Sequence, residues 1–461
     1  MRISRLEATD VHGYLPIRVS FHEDLTFLTG LNGSGKTTAL RLLMGLLAPS
    51  LDELVDIRFG TAKAVILVEE KEIIVSAERL ADGLTLSIST HKGMITLPAA
   101  HFQVISEARH RDEAHTPIYL EIQSNPVFRA IRDLSTPMFL GLDRRLQIEE
   151  RDVEVPVRAR RLENEFRHRV GTLGDISIRR VTEAILSDVN DLVASTLSEI
   201  RAAQERLDED LRNKILLDSF RYESTEFEAK SFPTRPTLEK FRARQTAIEK
   251  AAAGLRLPVG ELQSSLSEFF DRMTKTSDAL EAQSKVKPLS KARRGKTPIA
   301  DPKLQGYVFE WIMNSRQAVR IFTQIEMLDD YVGKRATLHQ PIDRFLALAN
   351  EFLVQTGKNV TVSQRGSLRV GLKGAETGHP LFALSSGERQ LVVMLAHLSL
   401  NKRLSQSGVF IVDEPELSLH IGWQEQFVNA IQQANPNVQF ILATHSPAII
   451  LERIDNCRSL S

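Results

Sequence analysis

Cysteine is almost absent from this 461-residue chain: Cys457 stands alone, so no internal disulfide can form, and a reducing cytosol is the setting that fits. An excess of one charge is missing too. Lys plus Arg number 59 and Asp plus Glu also number 59, which leaves no bulk attraction to nucleic acid or a membrane surface. Any nucleic-acid contact must then come from a local patch. No run approaches the roughly 18 apolar residues of a membrane span. The opening segment Met1-Arg2-Ile3-Ser4-Arg5-Leu6-Glu7 lacks the apolar stretch of a secretion signal. These absences predict a soluble, cytoplasmic protein with no membrane partner. What is present is ordinary for a globular chain: 42% hydrophobic and 26% charged residues, with length enough for two or three packing units.

The two ends of the chain read alike and the middle does not. Near the N-terminus a short strand pair is followed by the apolar run Leu25 to Leu28, a glycine-rich turn and an apolar helix from Thr38 to Leu47. Short β-type runs occupy Ala64 to Leu97, with turns at Asp82-Gly83 and Lys92-Gly93, and Met138 to Leu142 reads as a buried strand. From Val181 to Leu216 apolar residues recur at a spacing near 3.5, the mark of a long amphipathic helix. Further helical patterns run from about Thr237 to Gln283 and from Leu304 to Leu353. Between them lies a basic segment containing Lys291, Arg293, Arg294 and Lys296, which is either a solvated loop or a nucleic-acid or partner contact. From Asn359 strands and helices alternate again, the pattern of a parallel, helix-covered sheet. The expected fold is therefore α/β, with residues 1–150 and 355–461 forming one domain and 151–354 a long helical, coiled-coil-like insertion.

Gly30-Leu31-Asn32-Gly33-Ser34-Gly35-Lys36-Thr37 has the spacing of a phosphate-binding loop, with a strand before it and a helix after it. Glycines let successive N–H groups turn toward phosphate oxygens, and the helix N-terminus adds partial positive charge. Asn32, Gly33, Ser34, Gly35, Lys36, Thr37 and Thr38 are the expected nucleotide-binding residues. Lys36 would span the β- and γ-phosphates, and the Thr37 hydroxyl would ligate Mg²⁺. ATP with Mg²⁺ is the implied ligand pair.

Val409-Phe410-Ile411-Val412-Asp413-Glu414 is an apolar strand ending in two acids, a costly arrangement unless a cation or a reaction needs them there. Asp413 suits the Mg²⁺ shell, and Glu414 suits the base that orients and deprotonates the attacking water. Leu384-Ser385-Ser386-Gly387-Glu388 is a helix start whose Ser hydroxyl and Gly N–H can face a γ-phosphate; alone it reads as a helix cap. His445, in Ala443-Thr444-His445-Ser446-Pro447, follows the next apolar strand, where an imidazole can sense a γ-phosphate.

With these motifs in this order, the chain resembles the soluble ABC-type ATPases of the OLD, RecF and SMC group over roughly residues 1–150 and 355–455. The resemblance implies a P-loop NTPase head, ATP hydrolysis with Glu414, His445 and Lys36 as catalytic residues, and Ser385 to Glu388 as a signature turn that completes a site on a second copy. A head-to-head dimer, and through it a higher homo-oligomer, is the implied assembly. Ser386 stands where transporters usually carry Gly, Glu388 where many carry Gln, and Ile421-Gly422 where OLD-like chains often continue with Pro. Lys36 and Ser385 lie far apart in sequence with helices between them, which is unlike a transporter. The glutamine lobe of the family has Gln147 as its candidate. No zinc-ligand cluster or His-Asn nuclease motif is evident, and His110 and His115 are expected to face solvent. The chain runs only a short way past His445, so no nuclease domain is expected after it. Such an ATPase looks like the ATPase subunits of anti-phage systems such as PARIS and Septu. That likeness implies a sensor or scaffold role with a separately encoded effector nuclease as partner. The alternatives are a DNA-clamping repair ATPase and a non-hydrolysing assembly module.

Overall fold

A computed structural model of the chain describes residues 1–49, 51–103, 105, 117–134, 137–140, 146–147, 174–220, 235–244, 259–286, 302–363, 366–374, 378–402, 404 and 408–460. Strands β1 (Arg2–Val11), β2 (Leu15–Ser20) and β3 (Leu25–Thr29) come first, then helices α1 (Lys36–Leu47) and α2 (Leu51–Asp56). Four strands follow: β4 (Thr61–Val68), β5 (Lys71–Leu80), β6 (Gly83–Ile88) and β7 (Ile95–Pro98). After helices α3 (Pro117–Ser124) and α4 (Pro126–Asp133) the chain forms β8 (Met138–Leu140) and β9 (Leu146–Gln147). The long helices are α5 (Gly174–Ser219), α7 (Val259–Val286) and α8 (Pro302–Leu353), with the short α6 (Arg235–Arg242) before α7. The chain closes with β10 (Lys358–Val362), β11 (Leu368–Leu372), α9 (Ser386–Leu400), β12 (Val409–Asp413), α10 (Ile421–Ala434), β13 (Gln439–Ala443), α11 (Pro447–Ile450) and β14 (Cys457–Ser459).

Two sheets result. The first is antiparallel, in the order β2-β1-β4-β5-β6-β7. The second runs β14-β3-β13-β12-β8-β9 and is parallel except at its β9 edge. Strand β3, from the beginning of the chain, lies between β13 and β14 from its end, so the two extremities build one sheet. Every residue of β12 and β13 is buried, the pattern of parallel strands covered on both faces. One core cluster packs α1 (Leu40, Leu43, Leu47) against strands of both sheets, including Ile3, Leu6 and Ile441. Buried Gln439 ties the sheets together: its side-chain amide donates to the Ile3 carbonyl at 2.8 Å, and its oxygen accepts the Ile3 N–H at 2.7 Å.

The chain divides into two compact units, Met1–Thr196 with Pro341–Ser461, and Leu197–Gln340. The sequence-based boundaries near 150 and 355 are drawn differently, because the roots of α5 and α8 belong to the first unit. There Leu186, Val189 and Val193 are buried, and the Asn190 side-chain oxygen accepts the Leu368 N–H at 2.9 Å. Phe352 meets Trp423 edge-on at 5.6 Å between ring centres. Pro341, inside α8 at the unit boundary, withdraws a helical N–H. The second unit has its own core of Leu238, Phe241, Phe270, Met273, Ala318, Phe322 and Ile325, with Phe241 stacked on Phe322. Tyr331 donates to Asp208 at 2.7 Å within it. The basic residues Lys291, Arg293, Arg294 and Lys296, and His110 and His115, lie outside the described residues. Among the described residues no helix is long and apolar enough to cross a membrane.

Candidate functional site

The phosphate loop forms where expected, between β3 and α1. Two of its glycines are dictated by geometry. At Gly30 φ is 147°, and an added Cβ would meet the Leu460 carbonyl oxygen at 2.7 Å. At Gly35, the N-cap of α1, φ is 91° and a Cβ would run into Leu15 at 2.6 Å. Asn32 and Gly33 are exposed at the loop crest, and Thr38 lies in the first turn of α1 with its hydroxyl 3.3 Å from His12 Nε2. The buried Lys36 ammonium donates to the Gly30 carbonyl at 3.1 Å, to the Leu31 carbonyl at 3.4 Å and to His445 Nε2 at 2.5 Å. Burial lowers the Lys36 pKa, and the nearby carboxylates of Glu414, Asp413 and Glu416 oppose that shift. The structure thus brings Lys36, Asp413, Glu414 and His445, drawn from both ends of the chain, into one site.

Asp413 ends β12 and is 4% exposed, and neither of its carboxylate oxygens has a hydrogen bond of normal geometry among the described residues. Burial raises its pKa; the Thr37 hydroxyl and the Lys36 charge pull the other way. An unpaired buried carboxylate facing a hydroxyl is an unfavourable pair of neighbours unless a third group completes it. A hard cation with oxygen ligands does so, and Thr37 with Asp413 is the donor set that Mg²⁺ accepts when phosphate and water supply the rest. Among the described residues no group of three or more His, Cys, Asp or Glu could hold a metal ion. The Ser34 hydroxyl in the loop is likewise buried without a partner.

Glu414 has φ 47° and ψ 61°, a left-handed backbone that costs a non-glycine residue on the order of 1 kcal/mol or more. Its N–H donates to the Ala443 carbonyl at 2.8 Å, which holds the strand end in that form.

Glu416 carries more of the site than its sequence position suggests. Its carboxylate accepts from the Thr444 hydroxyl at 2.9 Å, the His445 N–H at 2.7 Å and the Ser446 N–H at 3.2 Å. It thereby fixes the loop that presents His445. Gln424 adds a second tie, donating to the Glu416 carbonyl at 3.3 Å and accepting from the Ser446 hydroxyl at 2.6 Å. The third acid of the Asp413-Glu414-Pro415-Glu416 run was the available signal.

Ser385 caps α9 in a full capping box with Glu388. Ser385 and Ser386 are exposed, and with Gly387 they line a cavity of about 500 Å³. Glu388 is 3% exposed and does something other than wait for a ligand. Its carboxylate accepts from the Ser385 N–H at 2.6 Å, Lys358 Nζ at 2.7 Å and the Thr356 hydroxyl at 2.8 Å. Lys358 and these hydrogen bonds hold its pKa below the ordinary glutamate value despite burial. A carboxylate so engaged braces the turn, and its charge would repel a phosphate. Among the described residues, no hydrogen bond or ion pair joins Ser385 to Glu388 with the phosphate loop of the same chain. Gln147 pairs through its backbone with Phe139 at the sheet edge; its side chain lies outside the described residues.

Similarity to known proteins covers part of the chain. Residues 373–452 match a family described as AAA domain, putative AbiEii toxin, Type IV TA system. That stretch holds the serine turn, the acidic strand end and His445. A retron Vc95 probable ATPase of Vibrio cholerae serotype O1 biovar El Tor is 35% identical over 79 residues, 15% of each chain. A retron Ec83 probable ATPase of Escherichia coli is 32% identical over 75 residues, 14% of each. The matched stretches thus span about one seventh of those relatives' length. Among solved structures, the Smc head domain with an extended coiled coil from Pyrococcus furiosus, bound to the C-terminal domain of ScpA, is 12% identical with a TM-score of 0.39, covering 99% of this chain and 93% of that one. The SMC head domain from Thermotoga maritima is 11% identical with a TM-score of 0.35, covering 100% and 94%. The parallel sheet with the glycine-rich loop between β3 and α1 is the α/β arrangement of a P-loop ATPase head.

Proposed function

We propose that the chain is an ATP-hydrolysing head that works in pairs, each phosphate loop being closed by the Ser385–Gly387 turn of a second copy. The observation that carries this reading is Asp413, buried at the strand end with both oxygens open beside Thr37 and Lys36. Thr37 and Asp413 would hold Mg²⁺, which when bound neutralises charge on the β- and γ-phosphate oxygens. Lys36 binds the β- and γ-phosphates after leaving the carbonyls of Gly30 and Leu31. Glu414 orients the attacking water and takes its proton. His445, held by Glu416, contacts the γ-phosphate. Ser385, Ser386 and Gly387 supply the trans contact, and Glu388 holds their turn rather than touching the nucleotide.

We further propose that this ATPase serves a bacterial anti-phage assembly, with a separately encoded effector, a nuclease, as its partner. The likeness of its C-terminal portion to two retron probable ATPases supports that setting. Glu414→Gln tests the chemistry. Hydrolysis should fall by about 10²–10⁴-fold, the range for loss of a general base. ATP binding should persist, and the mass in solution should shift to a stable dimer with ATP. Hydrolysis at the wild-type rate in this variant would remove Glu414 from the reaction. Co-purification from the native host, with and without ATP, tests the partner.

A further inference from the structure

Gln424 lies in the first turn of α10, a helix anchored by the buried Trp423, Phe427, Val428 and Ile431. Those anchors make its backbone a fixed point beside two loops. The side-chain amide has one oxygen and two N–H donors, and all are engaged. Its Oε1 accepts the Ser446 hydroxyl at 2.6 Å, while Nε2 donates to the Leu419 carbonyl at 3.0 Å and the Glu416 carbonyl at 3.3 Å. Exchanging oxygen and nitrogen would set an oxygen against two carbonyls, so the network fixes the orientation of the amide. The two loops it spans carry charged groups of the proposed reaction. The Leu417 N–H donates to the Glu414 carbonyl at 3.2 Å and the Leu419 N–H to the Glu416 carbonyl at 3.3 Å, so the turn that Gln424 grips begins at Glu414. Ser446 follows His445 directly, and the N–H groups of both share the Glu416 carboxylate. Among the described residues, the Gln424 side chain makes no hydrogen bond with the Gly30–Thr37 loop.

We propose that Gln424 is a positioning residue for ATP hydrolysis: its amide holds the Glu414 turn and the His445 loop at one spacing, so that base and imidazole meet the same γ-phosphate. This rests on the ATP-hydrolysing reading above. A residue that sets spacing without touching the nucleotide acts on the rate and leaves ground-state binding alone. Gln424→Leu removes the acceptor and both donors at similar bulk. Its kcat should fall by about 10–100-fold, the scale of a misplacement of about 1 Å, with ATP affinity within about twofold of wild type.

A double-mutant cycle read in kcat tests the shared tie. Ser446→Ala cuts it from the other end and should slow hydrolysis too. Combined with Gln424→Leu it should cost no more than Gln424→Leu alone, because one connection cannot be lost twice. Gln424→Glu keeps the shape and the acceptor for Ser446 but turns an oxygen toward the Glu416 and Leu419 carbonyls. It should lose nearly as much rate as the leucine variant, and it carries the same test if leucine prevents folding. Wild-type kcat in Gln424→Leu or Gln424→Glu would overturn the inference. Losses that multiply in the double variant would overturn it as well, and so would an affinity loss equal to the rate loss. Glu414→Gln, measured alongside, keeps the two readings apart. If it is slow while Gln424→Leu is not, the positioning role alone fails; if it hydrolyses ATP at the wild-type rate, the general base fails and the inference with it.

Discussion

At the phosphate loop, buried polar atoms are left open; at the serine turn, the protein closes them itself. Among the described residues both Asp413 oxygens and the Ser34 hydroxyl lack hydrogen-bond partners, whereas the Glu388 carboxylate has three. The first region is built to be completed by a ligand that supplies oxygens and a cation. The second is finished before any ligand arrives and offers exposed donors on a rigid rim. Buried polar groups without partners are unfavourable, so they mark where binding energy will be recovered. Satisfied groups mark where shape is being kept.

Removing the cation of the open region should give the largest effect. Lys36→Ala is expected to weaken ATP binding by about 100-fold or more, because a charged bond to two phosphates disappears. Titration of a fluorescent ATP analogue measures it, and unchanged affinity would show that this loop does not hold the nucleotide. Less severe is the loss of Glu416, which touches no phosphate in the proposed reading but carries three bonds to the Thr444–Ser446 loop. Glu416→Ala should lower hydrolysis by about 10–100-fold while leaving ATP affinity near wild type, since positioning rather than ground-state binding is lost. An affinity loss equal to the rate loss would make Glu416 a binding residue instead.

On the closed side the expected currency is stability. Lys358→Met would leave a buried carboxylate with fewer partners, and about 2–3 kcal/mol of stability should go with it. Adding Glu388→Gln should return much of that loss, because the uncompensated charge is gone. Urea unfolding of the single and double variants reads the difference. If the double variant is no better than Lys358→Met, charge pairing is not what holds the turn.

How much of this was readable beforehand follows from the same division. That the glycine-rich loop, Asp413-Glu414 and His445 come together was readable because backbone geometry and phosphate chemistry tie residue types to fixed spacings. The alternation of β12, α10 and β13 was readable because buried parallel strands are uniformly apolar. The helix roots were not. The periodicity of α5 runs unbroken past Thr196, so nothing in the pattern tells that Val189 and Val193 pack on the head unit while Leu197 begins the other. The partners of Glu388 were hidden for a related reason. Its capping-box spacing was visible, but Lys358 and Thr356, some thirty residues earlier, meet it only through tertiary structure. Glu416 showed only as a third acid in the run after β12; its role was hidden because its three donors are backbone and hydroxyl groups without a pattern of their own.

The body of α9, below its well-paired turn, holds an exception that sharpens the contrast. His397 is buried with its Nδ1 unpaired, and desolvation lowers its pKa from 6.5 to about 4. In the unfolded chain the imidazole takes a proton near pH 6.5, while in the folded chain it stays neutral until about pH 4. Lowering the pH through that window therefore favours unfolding: the stability is fully present above pH 6.5 and drains away toward pH 4. Linkage puts the loss from this one group at about 1.4 kcal/mol by pH 5.5. His397→Leu, of similar bulk and without a titrating group, should show a shallower fall in urea midpoint between pH 7.5 and pH 5.5 than the wild type. Parallel falls in the two proteins would mean that His397 is protonated in the folded chain and has found a partner. The unpaired atom here would then differ in kind from those of Asp413, which only a bound cation is expected to satisfy.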